Sequence, residues 1–240
     1  MDLLELTTLD QTHLNHWYYR SKFNLLRPFL SQLNGTDSLI DIGSGSGIFS
    51  HLFLNETPIK QATAFDINYK ENSQIQLENG KDLYFKNDMS NFSTNLILLM
   101  DILEHIDHDK RFLSNIVEHS DPGTTFFITV PAFQRLFSTH DIYLKHFRRY
   151  NKAQLKQVVI ESGLEPIDVF YGFYTLFLPV AIQRIMKALC HKQGEAVKSS
   201  EMDTLPNAVI NSALTLLHKH EPFLRNRFFG LSCVCIAKKV

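Results

Sequence analysis

Cysteine is scarce: Cys190, Cys233 and Cys235 are the only three in 240 residues, which excludes a disulfide framework. Cys233 and Cys235 stand two apart in the strand-like run LSCVCIAKK, so both face the same side and read as packing residues. Neither sign of charge dominates. The 24 Lys and Arg nearly balance the 25 Asp and Glu, for a net charge of -1. That excludes the basic footprint of a nucleic-acid binder. A long hydrophobic run is missing too. The most apolar stretch, residues 169–182, is interrupted by Gly172 and Pro179 and falls short of the about 18 residues a spanning helix needs. The opening MDLLELTTLDQTH carries acids and no basic cluster, so it does not read as a signal peptide. The chain is therefore expected to be cytoplasmic, with room for one domain and a full core.

What is present is an alternation. SLIDIG, QATAFDI, DLYFKND, NLILLMD and TTFFITVP are short apolar runs. GIFSHLFLNE, NYKENSQIQLEN and DKRFLSNIVEHS read as helices between them. Buried strands alternating with helices predict an open α/β fold with a mostly parallel sheet. Residues 1–36 form an N-terminal helical cap, whose apolar face carries Trp17, Phe23, Leu26, Leu30 and Leu33, and residues 37–173 form the core. The core ends in the helix NKAQLKQVVIESG, capped by Asn151 and stopped by Gly163, and the strand EPIDVFYGF. A helical insertion covers 174–226, with a polar middle, and 227–240 supplies the final strand.

Sheets of this kind bind ligands beyond the carboxyl ends of their strands. Asp41, Asp66, Asp88 and Asp101 all lie where strands run out. Gly43, Gly45 and Gly47 follow the first strand in G-x-G-x-G spacing, not the G-x-G-x-x-G of dinucleotide binders. Asp41 stands two residues before the first glycine, where a carboxylate suits an ammonium or sulfonium better than a pyrophosphate. Asp66, 23 residues past Gly43, is placed to accept from ribose hydroxyls. Asp88 can accept from an exocyclic amine.

LIDIGSGSG, AFDIN, NDM and LLMDILEHI, in that order, resemble the class I S-adenosylmethionine (SAM) dependent methyltransferases. The resemblance implies a Rossmann-like, doubly wound sheet of seven strands and SAM as cofactor, released as S-adenosylhomocysteine. It assigns Asp41 and the loop through Gly43, Gly45 and Gly47 to the methionine end of SAM. Asp66 takes the ribose, Ile67 lies against the adenine, and Asp88 with the Met89 backbone reads the adenine edge. Asp101 adjoins the methyl group. HWYYRSK and KHFRRY further resemble a bacterial subgroup in which Trp17, Tyr18 and Arg20 close over the cofactor, with Arg20 on the SAM carboxylate.

The stretch MDILEHIDHD packs acids and histidines at the end of the fourth strand. D-x-x-E-H resembles the E-x-x-E-H of metal-using methyltransferases of ubiquinone biosynthesis and small-RNA ribose methylation, with His140 or His146 as a further ligand. Position 101 is Asp instead of Glu, however, so no metal is assigned. A hydroxyl acceptor needs a base, and His105 and His146 are the catalytic candidates. Asp107 and Asp109 read as N-cap and first-turn acids of the next helix, and His108 as solvent-facing. Arg148 and Arg149 could bind an anionic acceptor or form surface ion pairs. The insertion, with Arg184 and Lys187 on an apolar helix, reads as a lid or as an interfacial helix reaching a membrane across 174–190. The function expected is O-methylation of a small or lipid-linked metabolite. The alternatives are a non-catalytic SAM binder and a metal-assisted O-methyltransferase.

Overall fold

The computed structural model describes residues 14–31, 35–89, 91–190, 207–221 and 227–240. Leu33, the opening thirteen residues and the polar middle of the insertion lie outside these. Strands β1 (Ser38–Ile42), β2 (Gln61–Phe65), β4 (Asp82–Lys86), β5 (Leu96–Met100) and β6 (Thr125–Pro131) run parallel. β8 (Ser232–Lys239) is antiparallel to both β6 and β7 (Leu164–Gly172). The sheet order is β3-β4-β2-β1-β5-β6-β8-β7.

β5 has every residue of LILLM buried, as a strand covered on both faces must. Its residues alternate between two cores. Leu96, Leu98 and Met100 face α1 (Trp17–Leu30) and α2 (Ile48–Glu56), beside Phe23, Leu26, Phe49 and Phe53. Ile97 and Leu99 face α3 (Asp109–Glu118) and α5 (Lys152–Glu161), beside Leu113, Ile116, Leu155 and Val159. Cys233 and Cys235 are buried together in that second core, as their spacing predicts. Asn151 caps α5, accepting from the Gln154 amide at 2.9 Å, and Gly163 follows it with φ +90°.

Two expectations need correction. The sheet has eight strands, not seven, because the predicted helix NYKENSQIQLEN contains a strand, β3 (Ser73–Gln76). β3 pairs antiparallel with β4, from Ser73↔Phe85 to Gln76↔Asp82. The signal was Asn79-Gly80, a hairpin dipeptide, with Gly80 at φ +78° and the Leu77 amide reaching the Lys81 carbonyl. Every residue of β3 is exposed, so no apolar periodicity marked it.

The segment between β7 and β8 contains α6 (Phe177–Cys190) and α7 (Ala208–His218). α7 lies against α1, where the Asn211 side chain accepts from the Trp17 amide at 2.8 Å and donates to the Asn15 carbonyl at 2.9 Å. Glu221, just past α7 and buried, accepts from the amides of Phe173 (2.7 Å) and Thr175 (3.0 Å) and from the Thr175 hydroxyl (2.6 Å). This carboxylate therefore clamps the turn that launches α6, where Phe173 holds φ +57°. Glu221→Ala leaves two backbone donors without an acceptor and should cost about 2–3 kcal/mol. Amide exchange over residues 173–177 should then rise by at least about tenfold, and unchanged protection there would refute the clamp.

Candidate active site

The glycine loop connects β1 to α2, and all three glycines adopt positive φ: Gly43 +68°, Gly45 +56°, Gly47 +76°. A Cβ on Gly43 would stand 2.5 Å from Ile102 Cδ1, so both conformation and space demand glycine there. Asp41 is buried at the strand end, where Ser50 donates to its Oδ2 at 3.0 Å and its Oδ1 has no partner among the described residues. Burial pushes its carboxyl up to about 7. The Ser46 hydroxyl is likewise buried without a partner among them. These unsatisfied acceptors beside an open-backbone loop fit a cationic donor such as the ammonium of SAM.

Asp66 is buried at the end of β2. Its Oδ2 accepts from the Gly45 amide at 3.1 Å, and its Oδ1 from the backbone (3.0 Å) and side chain (2.9 Å) of Asn68. It thus ties the loop to β2 and keeps spare lone pairs for a ribose. Tyr69, not singled out in the sequence, lies across the loop: its hydroxyl donates to the Gly45 carbonyl and meets Ser44 Oγ at 2.9 Å. β2 and β4 pair up to Phe65↔Lys86, so Ile67 and Asp88 each stand two residues past the end of neighbouring strands. Ile67 is 76% exposed at this carboxyl edge, and Asp88 is exposed and accepts from Asn72 at 3.3 Å. An exposed apolar side chain and an exposed acceptor at one sheet edge suit a purine. Met89 packs partly into the core below.

Asp101 follows β5 at φ +56° and turns toward α1. The Lys22 ammonium, fully buried, pairs with its Oδ2. Tyr18 donates to the same oxygen at 2.9 Å and accepts from Lys22 at 2.7 Å, while Thr129 donates to Oδ1 at 3.1 Å. Burial alone would raise the Asp101 carboxyl, but Lys22, Tyr18 and Thr129 together hold it below the usual range. Lys22 was not foreseen, because a lysine among aromatics on a helix gives no sign of its partner. Arg20, expected on the SAM carboxylate, is placed elsewhere: it pairs with Glu56 at the far end of α2 and reaches Asn15. The structure does not bring it to the glycine loop. The reason is helical geometry, since Lys22 lies on the face of α1 one turn from Tyr18.

Past Asp101 the chain makes a single turn, Leu103–His105. Glu104 is buried and its Oε2 has no partner among the described residues. Burial and the neighbouring Asp101 charge push its carboxyl well above the usual range. Two carboxyls three residues apart are thus driven in opposite directions. His105 meets His146 edge to face, ring centres 4.6 Å apart. Burial, with His146 alongside, lowers the His105 imidazole to about 3. Ligand atoms of Glu104, His105 and His146 lie within 4.8 Å of one another, a spacing at which they could hold a cation. Asp101 and His140 are not in this group, and Asp101 is spoken for by Lys22.

His146 is oriented from behind: its Nδ1 meets Asp141 Oδ1 at 2.9 Å. Asp141, in α4 (Thr139–Tyr143), also accepts from Arg149 Nε at 2.6 Å and from the Ser138 amide at 2.8 Å, and Arg184 of α6 approaches to 3.7 Å. Although it is buried, His146 and Arg149 keep the Asp141 carboxyl well below the ordinary range. The FRRY arginines are accordingly structural. Arg148 pairs with Asp109 at 3.0 Å, and Arg149 is buried on Asp141. Asp109 is a first-turn acid as expected and accepts from Tyr150 at 2.6 Å, whereas His108, not Asp107, occupies the cap position of α3. The His108 side chain is exposed.

A glycine loop after β1, acids at the ends of the next two parallel strands, and the grouping of Glu104, His105 and His146 beyond β5 make up the candidate site. A profile of the family described as "Methyltransferase domain" matches residues 14–169. The chain belongs to that family and is a SAM-dependent methyltransferase. Solved structures share the fold. A SAM-dependent methyltransferase from Archaeoglobus fulgidus is 21% identical with TM-score 0.51, covering 89% of this chain and 91% of that one. A chain from the complex of the Haloferax volcanii Trm112 methyltransferase activator with a methyltransferase is 15% identical with TM-score 0.52, covering 93% and 89%. The [4+2]-cyclase SpnF is 16% identical with TM-score 0.52, covering 90% and 81%. No curated protein matches the chain.

Two predictions follow from these charges. Lys22→Met strands a buried carboxylate and should cost about 3–5 kcal/mol at pH 7, with Asp101→Asn recovering more than half in the double variant. Because the Asp101 carboxyl is held low, the pair's contribution is complete above its unfolded pKa of about 4 and fades below it. Thermal melts of wild type and Lys22→Met should therefore converge toward acid pH. Asp41 behaves oppositely: with its carboxyl raised to about 7, its penalty on the folded state is absent below the unfolded pKa of about 4, grows as pH rises and is complete above about 7. Asp41→Asn should raise the melting temperature of the SAM-free protein by about 5 °C at pH 8–9, with the gain shrinking through pH 5 and gone by about pH 3.5, while weakening SAM binding. An equal gain at both ends of this range would rule out the buried-charge account.

Proposed function

We propose that this chain methylates an oxygen of a small or lipid-linked metabolite beside the cluster of Glu104, His105 and His146. The observation that carries the reading is the Asp141–His146 pair, buried and held at 2.9 Å. With Nδ1 engaged by Asp141, Nε2 is the nitrogen that can meet an acceptor hydroxyl and take its proton. SAM supplies a methyl group already activated on a sulfonium. What remains for the protein is to hold the acceptor in line, exclude water and remove one proton. The aromatic wall of Trp17, Tyr18 and Phe173 supports the exclusion of water: Tyr18 stacks on Phe173 at 5.5 Å and Trp17 meets it edge-on at 6.2 Å. Asp41 and the glycine loop are assigned to the methionine end, Asp66 to the ribose, and Ile67, Asp88 and Met89 to the base. Asp101 acts through Lys22 as the post that fixes the wall.

A second reading has its own observation. The 4.8 Å grouping of Glu104, His105 and His146 would suit a divalent cation that orients the acceptor oxygen, with Asp141 steadying His146 from behind. Asp101 would not be a ligand in that case.

The test is transfer of label from methyl-labelled SAM into a cell extract split into organic and aqueous phases. Label on an oxygen ether or ester supports the proposal, and the phase separates lipid-linked from soluble acceptors. Label on nitrogen or carbon, or none above a Gly45→Arg control, would overturn it. With that extract, His146→Ala should reduce transfer by about 10²-fold while SAM affinity stays within about threefold. Chelation followed by Mg²⁺ or Mn²⁺ add-back decides the second reading: transfer indifferent to both leaves the histidine as base.

A further inference from the structure

We infer that the outer face of α6, together with Phe228 and a basic hollow beside β7, docks on an anionic lipid bilayer. On α6, Leu178, Ile182 and Met186 recur every four residues and are 65%, 49% and 58% exposed. They form a single stripe. The opposite side of the helix is engaged: Ala181 is buried and Arg184 donates to the Leu136 carbonyl at 2.8 Å. Phe228, 82% exposed, stands in the chain between Arg227 and Phe229, and the Phe229 ring meets Phe177 of α6 with centres 5.3 Å apart.

The stripe does not stand alone. Phe177 contacts Phe133, Phe133 stacks on Tyr171, and the Lys152 ammonium lies 5.3 Å from the Tyr171 ring centre. This relay leads from α6 to a hollow of about 470 Å³ lined by Lys152, Lys156 and Arg227, with Ile167 and Val169 on its wall. Asp168 is the one acid lining it and is already paired with Arg227 at 2.6 Å. Ile167 is held 49% exposed by a register irregularity in β7 between Pro166 and Asp168. An exposed apolar ridge next to a net-positive hollow matches the two halves of an interfacial site: acyl chains below, phosphate headgroups beside. Among the described residues no helix is long and apolar enough to cross a membrane, so α6 would lie in the plane of the bilayer.

The charge decides among possible occupants. A second copy would present the same cations to each other at a two-fold interface, and a basic partner would be repelled. An anionic bilayer meets both features at once. The geometry also gives docking a consequence. Arg184, on the inner side of α6, approaches Asp141, which orients His146. A helix seated in the headgroup layer therefore carries, on its inner side, a cation that approaches the acid orienting His146. The docking itself does not require the acceptor to be a lipid.

The experiment is flotation of the full chain with phosphatidylcholine vesicles, with and without phosphatidylserine. Binding is expected to the serine-containing vesicles, weakening as salt rises. Leu178→Ser with Ile182→Ser and Phe228→Ser should lower it at least about tenfold, and Lys152→Glu with Lys156→Glu about as much. None of these side chains belongs to the methyl-transfer site, so SAM affinity measured on each variant reports that it has folded. No binding to either vesicle, binding unaffected by both variant sets, or a dimer in sedimentation velocity that the apolar variants dissolve would overturn the inference. Because vesicle binding is read without turnover, its failure is separate from any failure of O-methylation.

Discussion

A lysine with no exposed surface meets the carboxylate of Asp101 at the carboxyl end of β5, and the geometry of the site hangs on that contact. Burying an ammonium is tolerable only when a charge and further hydrogen bonds surround it. Tyr18 and Asp101 supply them, so α1 is fixed in rotation and height over the sheet. Fixing α1 brings Trp17 and Tyr18 against Phe173, which builds an aromatic wall beside Asp101. The positive φ at Asp101 aims its carboxylate at the helix, while its amide stays in register with the Thr129 carbonyl at 3.0 Å. Glu104, one turn on, feels the same negative charge and is driven toward its neutral form.

Asp141 plays the matching role for His146. It gathers His146, Arg149 and Ser138, with Arg184 nearby, into one buried node. Asp109 does the same for Tyr150 and Arg148. The H-x-R-R-Y element is thus a clip in which every polar side chain finds Asp141 or Asp109, each on a flanking helix. Arg149, through Asp141, helps to hold the histidine in place.

The same economy links the site to the edge of the molecule. Glu221 clamps the turn before α6, and α7 leans on the first turn of α1. The elements between β7 and β8 therefore touch both the aromatic wall, through Trp17 and His218 at 5.4 Å, and the Asp141 node, through Arg184. A lid and an interfacial helix are compatible descriptions of α6, because its inner and outer faces are chemically distinct.

Much of the core was legible in the chain. Continuous apolar runs such as LILLM mark strands buried on both faces, and a period of two or four survives without knowledge of neighbours. The glycine loop was legible for a similar reason: positive φ and close approach restrict the residue type locally. β3 was not, since an edge strand with both faces wet leaves no apolar period, and only Asn79-Gly80 betrays its turn. The partners of charged side chains were least legible of all. Arg20 and Lys22 are two residues apart on one helix, yet one pairs with Glu56 near the surface and the other is sealed on Asp101. Periodicity and backbone restriction are local, so the sequence by itself determined the buried strands and helices of the core, the glycine loop and the family. Charge pairing is set by distances between residues far apart in the chain, so only the tertiary structure decided that Lys22 pairs with Asp101, that Asp141 orients His146, and that Glu104, His105 and His146 come together.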